Sequence, residues 1–190
     1  GSGIQSIISA AQMILAGEHE VVVAGGMENM SQAPHVLRGA REGFRLGATP
    51  ALEDSLFSVL LDTQCGFFMA QTAENLAQEH GITRAAQDEF ALRSHQLGAA
   101  AVKNGTFRDE IVPITVKRGS KEIVVDTDDH IKPETSLEAL AKLRPAFGKE
   151  GTVTAGNASG IVDGAAAVSV LKYGDPVPAA NSLYRFSKLN

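Results

Sequence analysis

The sequence predicts an α/β fold interrupted by a long inserted segment, and three observations carry that expectation. Residues 3–16 place Ile4, Ile7, Ile8, Ala11, Ile14 and Leu15 at helical spacing, with Gly17 as a stop. The run Glu20-Val21-Val22-Val23-Ala24-Gly25-Gly26 is continuous and β-branched, the pattern of a buried strand in a parallel sheet covered on both faces. Ala165 to Leu171 returns to an apolar strand pattern near the other end. A helix followed by a buried strand, with a second such strand far along the chain, describes an α/β core.

Between the two strands the character changes. Residues 28–67 have weak periodicity and scattered Gly, Pro and basic residues, which predicts loops with short helices. Met69, Thr72, Ala73, Leu76 and Ala77 give a helix over 69–80 that stops at Gly81. Thr83 is a good N-cap for a second helix reaching about Lys103, ended by Asn104-Gly105. Ile111 to Val116 and Glu122 to Val125, with Arg118-Gly119-Ser120 between them, predict a hairpin. A short helix over 136–143 precedes a small-residue loop from Gly151 to Gly160. Pro176 and Pro178 break any regular element in residues 173–190.

Composition narrows the function classes. The 190 residues are 44% hydrophobic and 21% charged, which is globular usage, and the net charge of -5 gives no reason to expect nucleic acid or an anionic membrane as partner. Apolar stretches break well before the ~20 residues of a membrane helix. The single cysteine, Cys65, cannot form an internal disulfide, so the expected setting is a reducing, intracellular compartment. Gly1 opens directly into helical sequence rather than a secretory leader, and Asn190 after Ser187-Lys188-Leu189 argues against a peroxisomal address.

Four segments, taken together in order and spacing, carry a family resemblance: Gly1-Ser2-Gly3-Ile4-Gln5-Ser6; Gly25-Gly26-Met27-Glu28-Asn29-Met30-Ser31; Met69-Ala70-Gln71-Thr72-Ala73-Glu74-Asn75; and Gly151-Thr152-Val153-Thr154-Ala155-Gly156-Asn157-Ala158-Ser159-Gly160, continuing to Asp163-Gly164-Ala165-Ala166-Ala167. Over residues 1 to about 172 the chain resembles the N-terminal half of the thiolases, nearest the 3-ketoacyl-coenzyme A and acetyl-coenzyme A acetyltransferase branches. The resemblance implies half of an αβαβα sandwich, a mixed sheet flanked by helices with an inserted loop domain. Residues 1–27 would begin the core, 28–160 would form the loop domain, 161–172 the return strand, and 173–190 a divergent tail.

The resemblance also implies acyl-coenzyme A C-acyltransferase chemistry, cleaving a 3-ketoacyl-coenzyme A with coenzyme A or condensing two acyl-coenzyme A units. No cofactor or metal is implied, since coenzyme A is itself a substrate. A homo-oligomer, dimer or tetramer in the family, is the expected assembly. The family's nucleophilic Cys would fall just before Gly1, where a helix N-terminus favours thiolate. Its other catalytic groups sit in Gly-His-Pro, Asn-Glu-Ala-Phe and Gly-rich Cys segments absent from this sequence, so no catalytic residue is assigned and the piece alone is expected to be inactive. By resemblance Ser159 bonds the pantetheine arm, Gly160 and Ala155 line its path, Leu60, Met69, Phe147 and Ile161 form an apolar wall, and Lys132 faces the nucleotide phosphates in place of a more usual Arg. Phe68 stands where short-chain biosynthetic members carry His. A non-catalytic coenzyme A-binding pseudoenzyme or scaffold module, pairing with a full thiolase, is the alternative.

Other residues read more plainly. Cys65 has no His near it and precedes no helix, so it is an ordinary thiol. The five histidines lack metal-site spacing, and Asp126, Asp128 and Asp129 lack the closing Glu of a calcium loop. Glu28 and Glu74 are expected to be structural, with Glu28 capping N–H groups past the end of the first strand. Gly25-Gly26 lacks the remaining glycines of a dinucleotide fingerprint. Gly156, Gly160 and Gly164 imply a backbone that passes close to a ligand or another strand.

Overall fold

The computed structural model describes residues 1–148 and 150–172. In chain order its elements are α1 (Ser2–Leu15), β1 (Val21–Asn29), β2 (His35–Leu37), β3 (Leu52–Asp54), α2 (Ser55–Val59), β4 (Leu61–Asp62), β5 (Phe67–Phe68), α3 (Met69–His80), α4 (Arg84–Asn104), β6 (Ile114–Arg118), β7 (Lys121–Val125), α5 (Leu137–Ala141) and β8 (Asp163–Leu171). The expected tail lies outside the described residues. The chain divides into two units. The first holds Gly1–Asn29, Arg108–Thr127 and, among the described residues, 162–172; the second holds Met30–Phe107 and Asp128–Ile161.

In the first unit α1 ends as its sequence dictates. Gly17 takes φ of 77°, and Glu18 N–H donates to the Met13 carbonyl, closing the helix with a left-handed residue that only Gly adopts without strain. β1 pairs antiparallel with β8 along its whole length, from Val21 opposite Leu171 to Asn29 opposite Asp163. This corrects the expectation of a buried, parallel-type strand. Only Ala24 of β1 is buried, while Val21 and Val23 are 52% and 44% exposed. α1 packs on β1 with Ala10 buried, and among the described residues β8 is the only strand bonded to β1. The apolar content of the strand therefore reflects surface that this chain leaves open. Two glycines let the layers approach. A Cβ on Gly25 would overlap the Ala166 carbonyl oxygen across the ladder, and one on Gly26 would sit 3.4 Å from Gly3 Cα of α1. The Ser6 hydroxyl donates to the Gly25 carbonyl at 2.9 Å, pinning helix to strand. β6 and β7 form a hairpin whose turn uses Gly119 at φ 62°.

In the second unit, two short antiparallel pairs, β2 with β3 and β4 with β5, fill the expected loop region. Asp54 caps α2 by accepting from Leu56 N–H. α3 starts where the Gln71 side chain accepts from Phe68 N–H, and it ends at Gly81 in the left-handed region, φ 64°. Thr83 caps α4 by accepting from Ala86 N–H, and Gly105, φ 68°, ends it. Ser136 caps α5 the same way through Ala139 N–H. Among the described residues no helix is long and apolar enough to cross a membrane.

Candidate functional site

The loop from Gly151 to Gly160 is bound to α3 and α4 by side-chain hydrogen bonds. Glu74 of α3 accepts from Thr152 N–H, Val153 N–H and the Thr152 hydroxyl at 2.7–2.9 Å. Partial burial works to raise the Glu74 pKa, but the bonds from Val153 and Thr152 together outweigh it and hold the carboxyl below its ordinary value of 4.5. Gln87 of α4 donates to the same Thr152 hydroxyl at 2.9 Å.

A second anchor centres on Asn157. Its amide donates to Asp88 Oδ1 at 2.9 Å and to the Thr152 carbonyl at 3.0 Å, while its carbonyl accepts from Thr154 N–H at 2.7 Å. Asp88, buried at 4% exposure, is paired with Arg84 at 2.8 Å, and Arg84 donates to the Leu140 and Leu143 carbonyls. A buried carboxylate is tolerated because it is both paired and hydrogen-bonded. Thr154 is fully buried, and the carbonyl of Val153 accepts from Ala146 N–H at 2.8 Å, tying the loop to residues 145–147.

Of the glycines that the sequence singled out, Gly156, Gly160 and Gly164, two meet neighbours. A Cβ on Gly156 would lie 2.5 Å from methyls of Leu140 and Leu143, and one on Gly160 would run into the His130 ring. Gly164 is different: it lies in β8 opposite Glu28 with open space beside it.

The loop leaves Ala155 and Ser159 exposed, Gly160 half-buried and Ile161 64% exposed. The expected apolar wall is assembled in part. Met69 N–H donates to the Leu60 carbonyl at 3.1 Å, placing those residues together at the start of α3. Phe68 stacks on Phe147 with ring centroids 6.3 Å apart and meets Phe57 edge-on at 5.7 Å, which ties Phe147 to the same corner. Lys132 is exposed, with its N–H donating to His95 Nδ1 at 3.2 Å. A cleft of ≈ 510 Å³ opens beside α3, lined by Glu74, Asn75, Gln78, Phe147, Glu150 and Thr152 among others. Of the expected site residues only Phe147 borders it.

Sequence reasoning foresaw the structural use of Glu74 but not that of Arg84, Asp88, Gln87, Asn157 or His130. It also misplaced Glu28, since β1 runs on through Asn29 and Glu28 is a paired strand residue rather than a cap past the strand end. Cys65 is an exposed free thiol in the turn capped by Asp62. Among the described residues no cluster of three His, Cys, Asp or Glu could hold a metal ion.

Comparison with known proteins places this architecture. The family model described as "Thiolase, N-terminal domain" matches residues 1–173. An acetyl-CoA acetyltransferase of Chromobacterium violaceum is 51% identical over 172 residues, 90% of this chain and 44% of that protein. The human mitochondrial 3-ketoacyl-CoA thiolase is 50% identical over 170 residues, 90% of this chain and 43% of that protein. Among solved structures, that human enzyme superposes with a TM-score of 0.84 at 49% identity, covering 91% of this chain and 44% of the other. Its complex with CoA superposes with a TM-score of 0.83 at 49% identity, covering 91% and 43%. The chain thus spans less than half the length of the relatives it matches. With the family model matching residues 1–173 and relatives about 50% identical across 90% of the chain, the chain belongs to the thiolase family.

Proposed function

We propose that this chain is part of an acyl-coenzyme A C-acyltransferase that cleaves 3-ketoacyl-coenzyme A with coenzyme A, or condenses two acyl-coenzyme A units, and that its second unit supplies part of the coenzyme A surface. The observation that carries the reading is the 49% identity, over 91% of the chain, with a thiolase solved in complex with CoA. The anchored loop supports it: Glu74 and Asn157 fix a backbone that leaves Ser159 free to bond an amide of the pantetheine arm. Gly160 and Ala155 give that arm a path without side-chain obstruction. Leu60, Met69, Phe147 and Ile161 cover its apolar segments, and Lys132 meets the phosphates as a point charge.

The chemical step belongs to groups that the resemblance assigns to other segments of the family sequence. α1 begins at Ser2 without a side-chain cap or an acidic first turn, which suits an anionic sulfur placed just ahead of it. Coenzyme A is substrate and no further cofactor enters the scheme. A homo-oligomer in a reducing compartment, cytoplasm or mitochondrial matrix, completes the proposal.

Calorimetric titration of coenzyme A into residues 1–190 tests it. Saturable binding is expected, weakened about threefold to tenfold in Ser159→Ala, the loss of one hydrogen bond, with an unchanged melting temperature. An absence of binding would overturn the reading. The same preparation is expected to show no thiolysis of a ketoacyl-coenzyme A, and measurable turnover would contradict the assignment of the chemistry to other segments.

A further inference from the structure

The segment 130–132 is fastened to α4 at two points. Ile131 packs into the space left by Gly98, where an added Cβ would lie 3.1 Å from the Ile131 Cδ1 methyl. A glycine inside a helix is less favourable than Ala, so this close approach is the evident use of Gly98. One residue on, Lys132 N–H donates to His95 Nδ1 at 3.2 Å. One residue before, His130 brings the Cε1 edge of its ring against Gly160: a Cβ there would overlap Cε1 and lie 2.8 Å from Nε2 and 2.9 Å from Nδ1. The loop 151–160 is held at its start by Glu74 and in its middle by Asn157, and its last residue, next to Ser159, rests on this ring.

We propose that His130 is a positioning residue for coenzyme A binding: the Cε1 edge of its ring is the surface against which Gly160 is seated, and that seat sets the direction in which Ser159 presents its hydroxyl. The inference rests on the reading of Ser159 as a coenzyme A contact. The ring acts by shape. An aromatic ring without polar atoms serves equally, whereas a small side chain leaves the end of the loop unsupported.

Coenzyme A titration of residues 1–190 carrying single and paired substitutions tests this, with circular dichroism melts run on each variant. His130→Ala is expected to raise the Kd about tenfold, as loss of local positioning does, while His130→Phe stays within about twofold of the parent. Gly160→Ala is expected to weaken binding strongly in the parent and much less in the His130→Ala background, because removing the ring removes the overlap. An unchanged Kd in His130→Ala overturns the inference. So does a His130→Phe variant as weak as His130→Ala, which would make the imidazole nitrogens direct ligand contacts. A parent chain that binds no coenzyme A, or a Ser159→Ala variant that binds as the parent does, overturns the site reading first and this inference with it.

Discussion

Glu74 takes four hydrogen bonds at 2.7–2.9 Å from two residues 78 and 79 positions away. Glu74→Gln keeps the shape but exchanges one accepting oxygen for a donor facing N–H groups, so it is expected to destabilise by about 3 kcal/mol in chemical denaturation. The effect carries a sign in pH. Because the folded pKa lies below the ordinary 4.5, the contribution is fully present above that value and is lost as pH falls through the lowered pKa. The melting-temperature gap between parent and Glu74→Gln should be constant above pH 4.5 and close below it. Asp62, held low by the Gln64 and Cys65 N–H groups, and Glu138, held low by its own N–H and by Ser136, are unchanged in both proteins, so the comparison of variants isolates Glu74. Asn157→Ala takes the partner from the buried Asp88 Oδ1, whose other oxygen keeps Arg84, and from the Thr152 carbonyl and Thr154 N–H, and a loss of about 3 kcal/mol is expected. The sequence marked the loop but not its anchors, because Asn157 reaches Asp88 across 69 positions and Arg84 reaches Leu140 across 56. Nothing local signals a bond of that span.

Elements with strong local chemistry were legible. Gly17, Gly81, Thr83 and Gly105 end or begin helices where the sequence placed them, since a positive φ or a capping hydroxyl is a property of one residue and its near neighbours. Thr83→Ala is expected to lower stability by about 1 kcal/mol, measured by denaturant midpoint, without altering α4 in the folded state. The strands between β1 and α3 were not legible, being two or three residues long and too short to show alternation. β1 was legible as a strand and misread as to its neighbours. A valine run records how much apolar surface must be covered, while the partner strand and its direction depend on residues more than 130 positions away.

On the scale of the molecule, large apolar side chains stand open in the first unit: Ile4 at 66%, Leu15 at 86% and Met27 at 64% exposure. Soluble monomers rarely leave contiguous apolar patches of such residues uncovered. Residues 1–190 are therefore expected to self-associate, giving a light-scattering mass above the 19.9 kDa of the chain, and a monodisperse monomer would contradict this.

The central claim, that the loop ending at Ser159 and Gly160 meets coenzyme A, is tested most directly by backbone amide NMR during titration with the ligand. The account predicts shifts at Ala155, Ser159, Gly160, Ile161 and Lys132, extending to Leu60, Met69 and Phe147. Shifts confined to Asn75, Gln78 and Glu150 in the cleft beside α3, or none at saturating ligand, would contradict it.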